Sequence, residues 1–156
     1  MKNSGFKIVL NEPEIPQNTG NIARLCACTG SDLFLVGKLG FSISDKYLKR
    51  AGLDYWNDVN IRQFSSLDEL FQEFPNEDKF FLTTKAKQSH FQANFKPGSL
   101  LIFGSETRGL PVEIINSNYN NAFRIPMLPN ERSLNLSNGV AIVLYEAIRQ
   151  SGNTEY

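Results

Sequence analysis

Apolar and polar positions come in blocks along this chain, alternating between strand-length runs and segments with helical spacing. Residues 6–10 read as a buried strand. The loop 11–17 carries Pro13 and Pro16, which stop the strand and delay the helix, so Asn18 or Thr19 is the expected N-cap. Ile22, Leu25, Cys26 and Thr29 then recur at helical spacing, and Gly30 stands where a left-handed C-cap is needed. Residues 32–36 return as a strand, 45–51 as a short polar helix and 59–64 as the next strand. Ser66 and Glu69 have the spacing of a capping box opening another helix. Residues 80–84 and 100–103 are largely apolar runs, as expected of central strands covered on both faces. A short helix at 111–116 and a strand ending at Ile125 precede the last helix. There Leu136, Val140, Val143, Leu144, Ala147 and Ile148 form one stripe. Strands alternating with helices predict one α/β domain over residues 1–156, with a mostly parallel sheet.

Composition narrows the function. The 156 residues carry 16 Lys+Arg against 16 Asp+Glu, so the chain is no polycation, and any contact with nucleic acid must be held by a local patch. The longest apolar run, residues 140–145, is far below the roughly 20 residues a membrane helix needs. Residues 1–5 lead directly into a strand without a signal-like apolar segment, so a cytoplasmic location and no membrane partner are expected. Cys26 and Cys28 diverge on their helix and are expected as small core or near-core residues; no metal site is expected. The only histidine, His90, sits in the polar stretch 87–94 and is expected at the surface. Neither a G-x-G-x-x-G nor a P-loop signature occurs, which argues against a Rossmann dehydrogenase or a P-loop NTPase.

Three polar stretches carry the chemistry. In Asn18-Thr-Gly-Asn21-Ile-Ala-Arg24, Asn21 and Arg24 are three apart and share a helix face near an N-terminus, where an anion can dock. In Leu100-Leu-Ile-Phe-Gly104-Ser-Glu106-Thr-Arg108-Gly109-Leu-Pro111, a strand runs out into a glycine-containing loop. Open α/β sheets bind ligands at such carboxyl ends. The third runs from Arg124-Ile125-Pro126-Met127 through Arg132-Ser133-Leu134-Asn135-Leu136-Ser137-Asn138-Gly139 into the last helix, and is rich in capping residues. Each alone is also what an ordinary cap or turn looks like.

Together, in this order, the three stretches resemble the SPOUT superfamily of RNA methyltransferases. EPEIPQNTGNIARLCACTG, DKYLKRAGLDYW and RIPMLPNERSLNLSN look most like its TrmL (YibK) group, tRNA wobble-nucleotide 2'-O-methyltransferases. The resemblance spans residues 6 to about 150. It implies a deep C-terminal trefoil knot that binds S-adenosylmethionine, with contacts carried over to Leu82, Gly104, Ile125, Ser133 and Leu134, and Glu106 as a lesser candidate. It implies Arg24 as the catalytic residue, oriented by Asn21, with Ser137 and Asn138 as further active-site candidates. It implies a homodimer whose site joins one subunit's knot to the other's Arg24. The expected substrate is the tRNA anticodon stem-loop, gripped by Lys46, Lys49 and Arg50 near Tyr55 and Trp56; a solvated helix face with two core aromatics is the alternative for this patch. Two rival functions stay open: methylation of ribosomal RNA or another tRNA position, and cofactor-dependent RNA binding without turnover. Gly139 and Trp56 depart from the group's usual residues, the first loosening the start of the last helix and the second bearing on substrate preference.

Overall fold

The computed structural model describes residues 3–153, apart from the side chains of 51–54. Seven strands form one sheet: β1 (Lys7–Asn11), β2 (Asp32–Val36), β3 (Ile61–Phe64), β4 (Lys79–Leu82), β5 (Gln88–Ser89), β6 (Leu100–Phe103) and β7 (Ala122–Arg124). Five helices connect and cover them: α1 (Pro16–Thr29), α2 (Lys46–Trp56), α3 (Leu67–Glu73), α4 (Val112–Ser117) and α5 (Leu136–Ser151). The strand order is β3-β2-β1-β6-β4-β7-β5, and every paired strand runs parallel to its neighbour.

The expected α/β architecture and parallel sheet are therefore present, and the period of two along each strand explains why both faces are buried. Ile8, Leu10, Leu33, Leu35, Leu101 and Phe103 point to the side covered by Ile22 and Cys26 of α1 and Val140 and Leu144 of α5. Val9, Phe34, Phe81, Leu100 and Ile102 point to the other side, against Leu70 of α3 and Ile115 of α4. Each such side chain contributes about 1.5–3 kcal/mol by leaving water.

Local boundaries shift from the expectations for identifiable reasons. α1 begins at Pro16, not after Asn18. A proline at the first helical position loses only an N–H that would be unpaired anyway, and its fixed φ suits the helix. Gly30 does close the helix, at φ 63°. The capping box at Ser66 is half formed: the Glu69 N–H donates to Ser66 Oγ at 3.1 Å, while the Glu69 carboxylate accepts from Ser65 N–H and Oγ–H, each at 2.6 Å. The polar helix expected at 45–51 runs on to Trp56, with Asp45 as its cap.

Two expectations about burial are corrected. His90 is fully buried: the stretch 87–94 is not an open loop but the edge strand β5 followed by a 3-10 turn with a complete capping box at Ser89 and Gln92. Cys26 is in the core as expected, where burial pushes its thiol far above the usual range, but Cys28 is exposed on the outer side of α1. Among the described residues no helix is long and apolar enough to cross a membrane.

Candidate active site

The carboxyl ends of β1, β4, β6 and β7 open on one side of the sheet, where an open parallel sheet binds its ligands. A cavity of about 620 Å³ lies there, within the range of small-molecule sites. Leu82 and Gly104 enter it from the ends of β4 and β6, Ile125 from just after β7, and Ser133 and Leu134 from the segment leading into α5. Glu106 completes the set, so all six cofactor candidates line one cavity although they come from three separated stretches.

The wall around Gly104 is formed by a tight loop. Residues 105 and 109 pair as an antiparallel bridge, with the Gly109 N–H donating to the Ser105 carbonyl at 2.9 Å. A Cβ on Gly104 would lie 2.1 Å from the Gly109 carbonyl carbon and 2.2 Å from the Leu110 nitrogen, so only glycine permits this approach of backbone to backbone. Gly109 adopts φ 67°, which favours glycine again.

Glu106 does more than line the cavity. Its carboxylate accepts from the Glu14 N–H at 2.9 Å, the Ile15 N–H at 2.5 Å and Asn18 Nδ2 at 3.3 Å. Ile15, the residue at the N-cap position of α1, has no side-chain cap of its own, so the acidic group that satisfies this helix entry arrives from 91 residues away. A second latch runs in the opposite direction: Thr107 donates from its N–H and hydroxyl to Glu14 at 3.1 and 2.6 Å, which holds the Glu14 carboxyl below the usual carboxylate range. Asn18 is 5% exposed, and its Oδ1 accepts from Asn135 Nδ2 at 3.0 Å, joining α1 to the entry of α5.

Asn135 is also the N-cap of α5. Its Oδ1 accepts from the Asn138 N–H at 3.2 Å and from the Ser137 hydroxyl at 2.6 Å. Neither Ser137 nor Asn138 lines the cavity; they stand in the first turn of the helix above it. Asn18 and Asn135 are the residues whose placement sequence reasoning undervalued. Both lie within the stretches singled out, but each was legible only as one more capping residue. Lys85, which carries no sequence signal of its own, and Arg132 of the third stretch bring positive charge to the cavity wall.

Asn21 and Arg24 lie on the exposed face of α1 and do not line the cavity of their own chain. The Arg24 guanidinium sits over the Tyr55 ring, 5.2 Å from its centroid. Lys46, Lys49 and Arg50 are exposed on α2, and Trp56 packs half-buried against the core.

Comparison with known proteins places this arrangement. The chain is 51% identical over 146 residues to the tRNA (cytidine(34)-2'-O)-methyltransferase of Methylovorus glucosotrophus, covering 93% of this chain and 95% of that protein. It is 48% identical over 148 residues to the enzyme of the same name from Saccharophagus degradans, covering 94% and 96%. A solved structure concerned with the 2-OH methylation of C/U34 on tRNA superposes with a TM-score of 0.88 at 41% identity, covering 93% of this chain and 95% of that one. The SpoU methyltransferase AviRb from Streptomyces viridochromogenes, in complex with the cofactor AdoMet, shares the fold at a TM-score of 0.81 and 22% identity, covering 96% of this chain and 62% of that one. Residues 5–145 match the model of the SpoU rRNA Methylase family, and with relatives near half identity over almost its whole length, the chain belongs to that family.

Proposed function

We propose that this chain is a tRNA (cytidine(34)/uridine(34)-2'-O)-methyltransferase that uses S-adenosylmethionine. The observation that carries the reading is the convergence of Leu82, Gly104, Glu106, Ile125, Ser133 and Leu134 on one cavity. The lining suits the donor chemically: Ile125 and Leu134 offer apolar walls for an adenine ring, and Gly104, which has no side chain, lines the cavity beside Leu82. When bound, the donor supplies a methyl group on a sulfonium, whose S–C bond breaks as a ribose 2'-oxygen forms the new O–C bond in line.

The chain's own residues must align that oxygen and ease the loss of its proton. Arg24 is assigned to binding and polarising rather than to taking that proton. Its role is to bind the phosphate next to the target ribose and polarise the hydroxyl, with Asn21, three residues away on the same helix face, orienting it. Ser137 and Asn138 border the entrance of α5 as further contacts.

Arg24 does not reach the cavity of its own chain, which supports a homodimer in which it serves the partner's cavity. The C-terminal segment from β7 through α5 then forms the deep trefoil knot of this superfamily; β7 lying between β4 and β5 in the sheet is consistent with such threading. Lys46, Lys49 and Arg50 are the grip on the anticodon stem-loop, since the three exposed cations lie on one helix that packs on α1. The enzyme works in the cytoplasm, where its substrate is.

The test is direct. Purified protein with S-adenosylmethionine and an unmodified leucine tRNA is expected to yield a 2'-O-methylated wobble nucleotide, identified by mass spectrometry of nuclease digests. Methyl groups on a base, at another position or only on ribosomal RNA would replace this reading with one of its rivals.

A further inference from the structure

An exposed arginine samples many rotamers, yet catalysis at a ribose needs the guanidinium in one place. The Arg24 guanidinium makes no hydrogen bond and no ion pair with any described residue; the three ion pairs described join Arg62 to Glu73, Arg108 to Glu12 and Arg149 to Glu146. Among the described residues, its one ring or polar contact is the face of Tyr55, at 5.2 Å. The ring is itself well held: Tyr55 is half-buried in the last turn of α2, next to Trp56, which packs against the core, and α2 packs along α1.

The choice of an aromatic face rather than a carboxylate has a chemical consequence. A carboxylate would occupy two N–H groups of the guanidinium and cancel its charge, leaving little for a phosphate. A ring attracts the cation through its quadrupole from the flat side, so the N–H edges and the full positive charge stay available. We propose that Tyr55 is the positioning residue for Arg24, fixing the guanidinium plane so that its N–H edge meets the RNA phosphate and ribose oxygen. This inference rests on the role given to Arg24 above.

The experiment compares Tyr55→Phe and Tyr55→Leu with the parent protein. In the parent, ring current shifts the Arg24 side-chain NMR resonances upfield; the shift is expected to persist in Tyr55→Phe and to vanish in Tyr55→Leu. In turnover assays, Tyr55→Leu is expected to lower kcat about two- to five-fold, with any rise in KM for tRNA accompanying that loss and Kd for S-adenosylmethionine unchanged, and Tyr55→Phe to restore most of it. Thermal melts check folding, and Tyr55→Met substitutes if the leucine variant unfolds.

A raised KM at constant kcat would mean that Tyr55 stacks on RNA instead. Equal losses in Tyr55→Phe and Tyr55→Leu would assign the effect to the hydroxyl. Either result, or unchanged kcat in Tyr55→Leu, overturns the proposal. Failure of the parent protein to methylate tRNA would sink the functional reading alone, because the ring-current shift needs no RNA.

Discussion

Glu106 and His90 illustrate how much a single side chain's meaning depends on its neighbours. Glu106 in sequence is an acid in a glycine loop; in the structure it holds the Glu14 and Ile15 N–H groups, so the same carboxylate shapes the cavity wall and anchors the helix that carries Arg24. His90 in sequence is a polar residue among polar residues. In the structure its ring is fully buried, tilted against Phe91 at 4.1 Å between centroids, and neither ring nitrogen has a hydrogen-bond partner among the described residues. Burial therefore holds its pKa below the ordinary value of 6.5. The unfolded chain then takes up this proton more readily than the folded one, so stability is full above pH 6.5 and falls as the pH drops below it. Because the chain has one histidine, a step in the melting temperature with its midpoint in the histidine range has a single owner. Thermal melts from pH 8 to 5 are expected to show that step in the parent and to lack it in His90→Phe; a step that survives the substitution would refute the assignment.

At the scale of elements, apolar stripes set where the helices lie, while their ends answer to more distant residues. The stripe Leu136, Val140, Val143, Leu144, Ala147, Ile148 packs as expected, because a period of 3.6 is a local property. The sequence alone points to a later start for α1 because Asn18 and Thr19 look like caps, whereas the acceptor that serves this helix entry comes from beyond β6. Gly139 shows the opposite case, a local weakness the tertiary structure tolerates. It lies in the first turn of α5, buried, and an added Cβ would meet only Ile125 Cδ1, at an ordinary 3.5 Å. Replacing a helical glycine by alanine gains about 1 kcal/mol where space allows. Gly139→Ala is thus expected to raise the melting temperature by about 2–4 °C for a domain of this size, measured by calorimetry. A fall would mean that the Ile125 contact cannot relax.

For the whole molecule, Arg24 is absent from the lining of its own chain's cavity, and the proposed reaction therefore takes its arginine from a second copy. Mixed dimers test this. Leu134→Glu places a charge in the apolar slot from a position 41% exposed, where the fold can bear it, and Arg24→Ala removes the guanidinium. Each variant alone should be inactive. After the subunits are remixed at random, about half of the dimers are mixed and each of these has one intact site, so activity should return to about a quarter of the parent's. No recovery would place Arg24 and the cavity that it serves in the same chain. Strand and helix alternation, the apolar stripes and the three polar stretches were all legible in the sequence, since each depends on residues close together along the chain. Family resemblance added which positions to watch. What the sequence could not express was adjacency across long separations. Asn18 bonded to Asn135, Glu106 serving Ile15 and Arg24 resting on Tyr55 each join residues tens of positions apart. The first two exist because the buried parallel sheet brings the ends of β1, β4, β6 and β7 to one side, and the third because α1 and α2 pack on each other; burial of apolar surface on both faces of the sheet, not any local propensity, decides this arrangement.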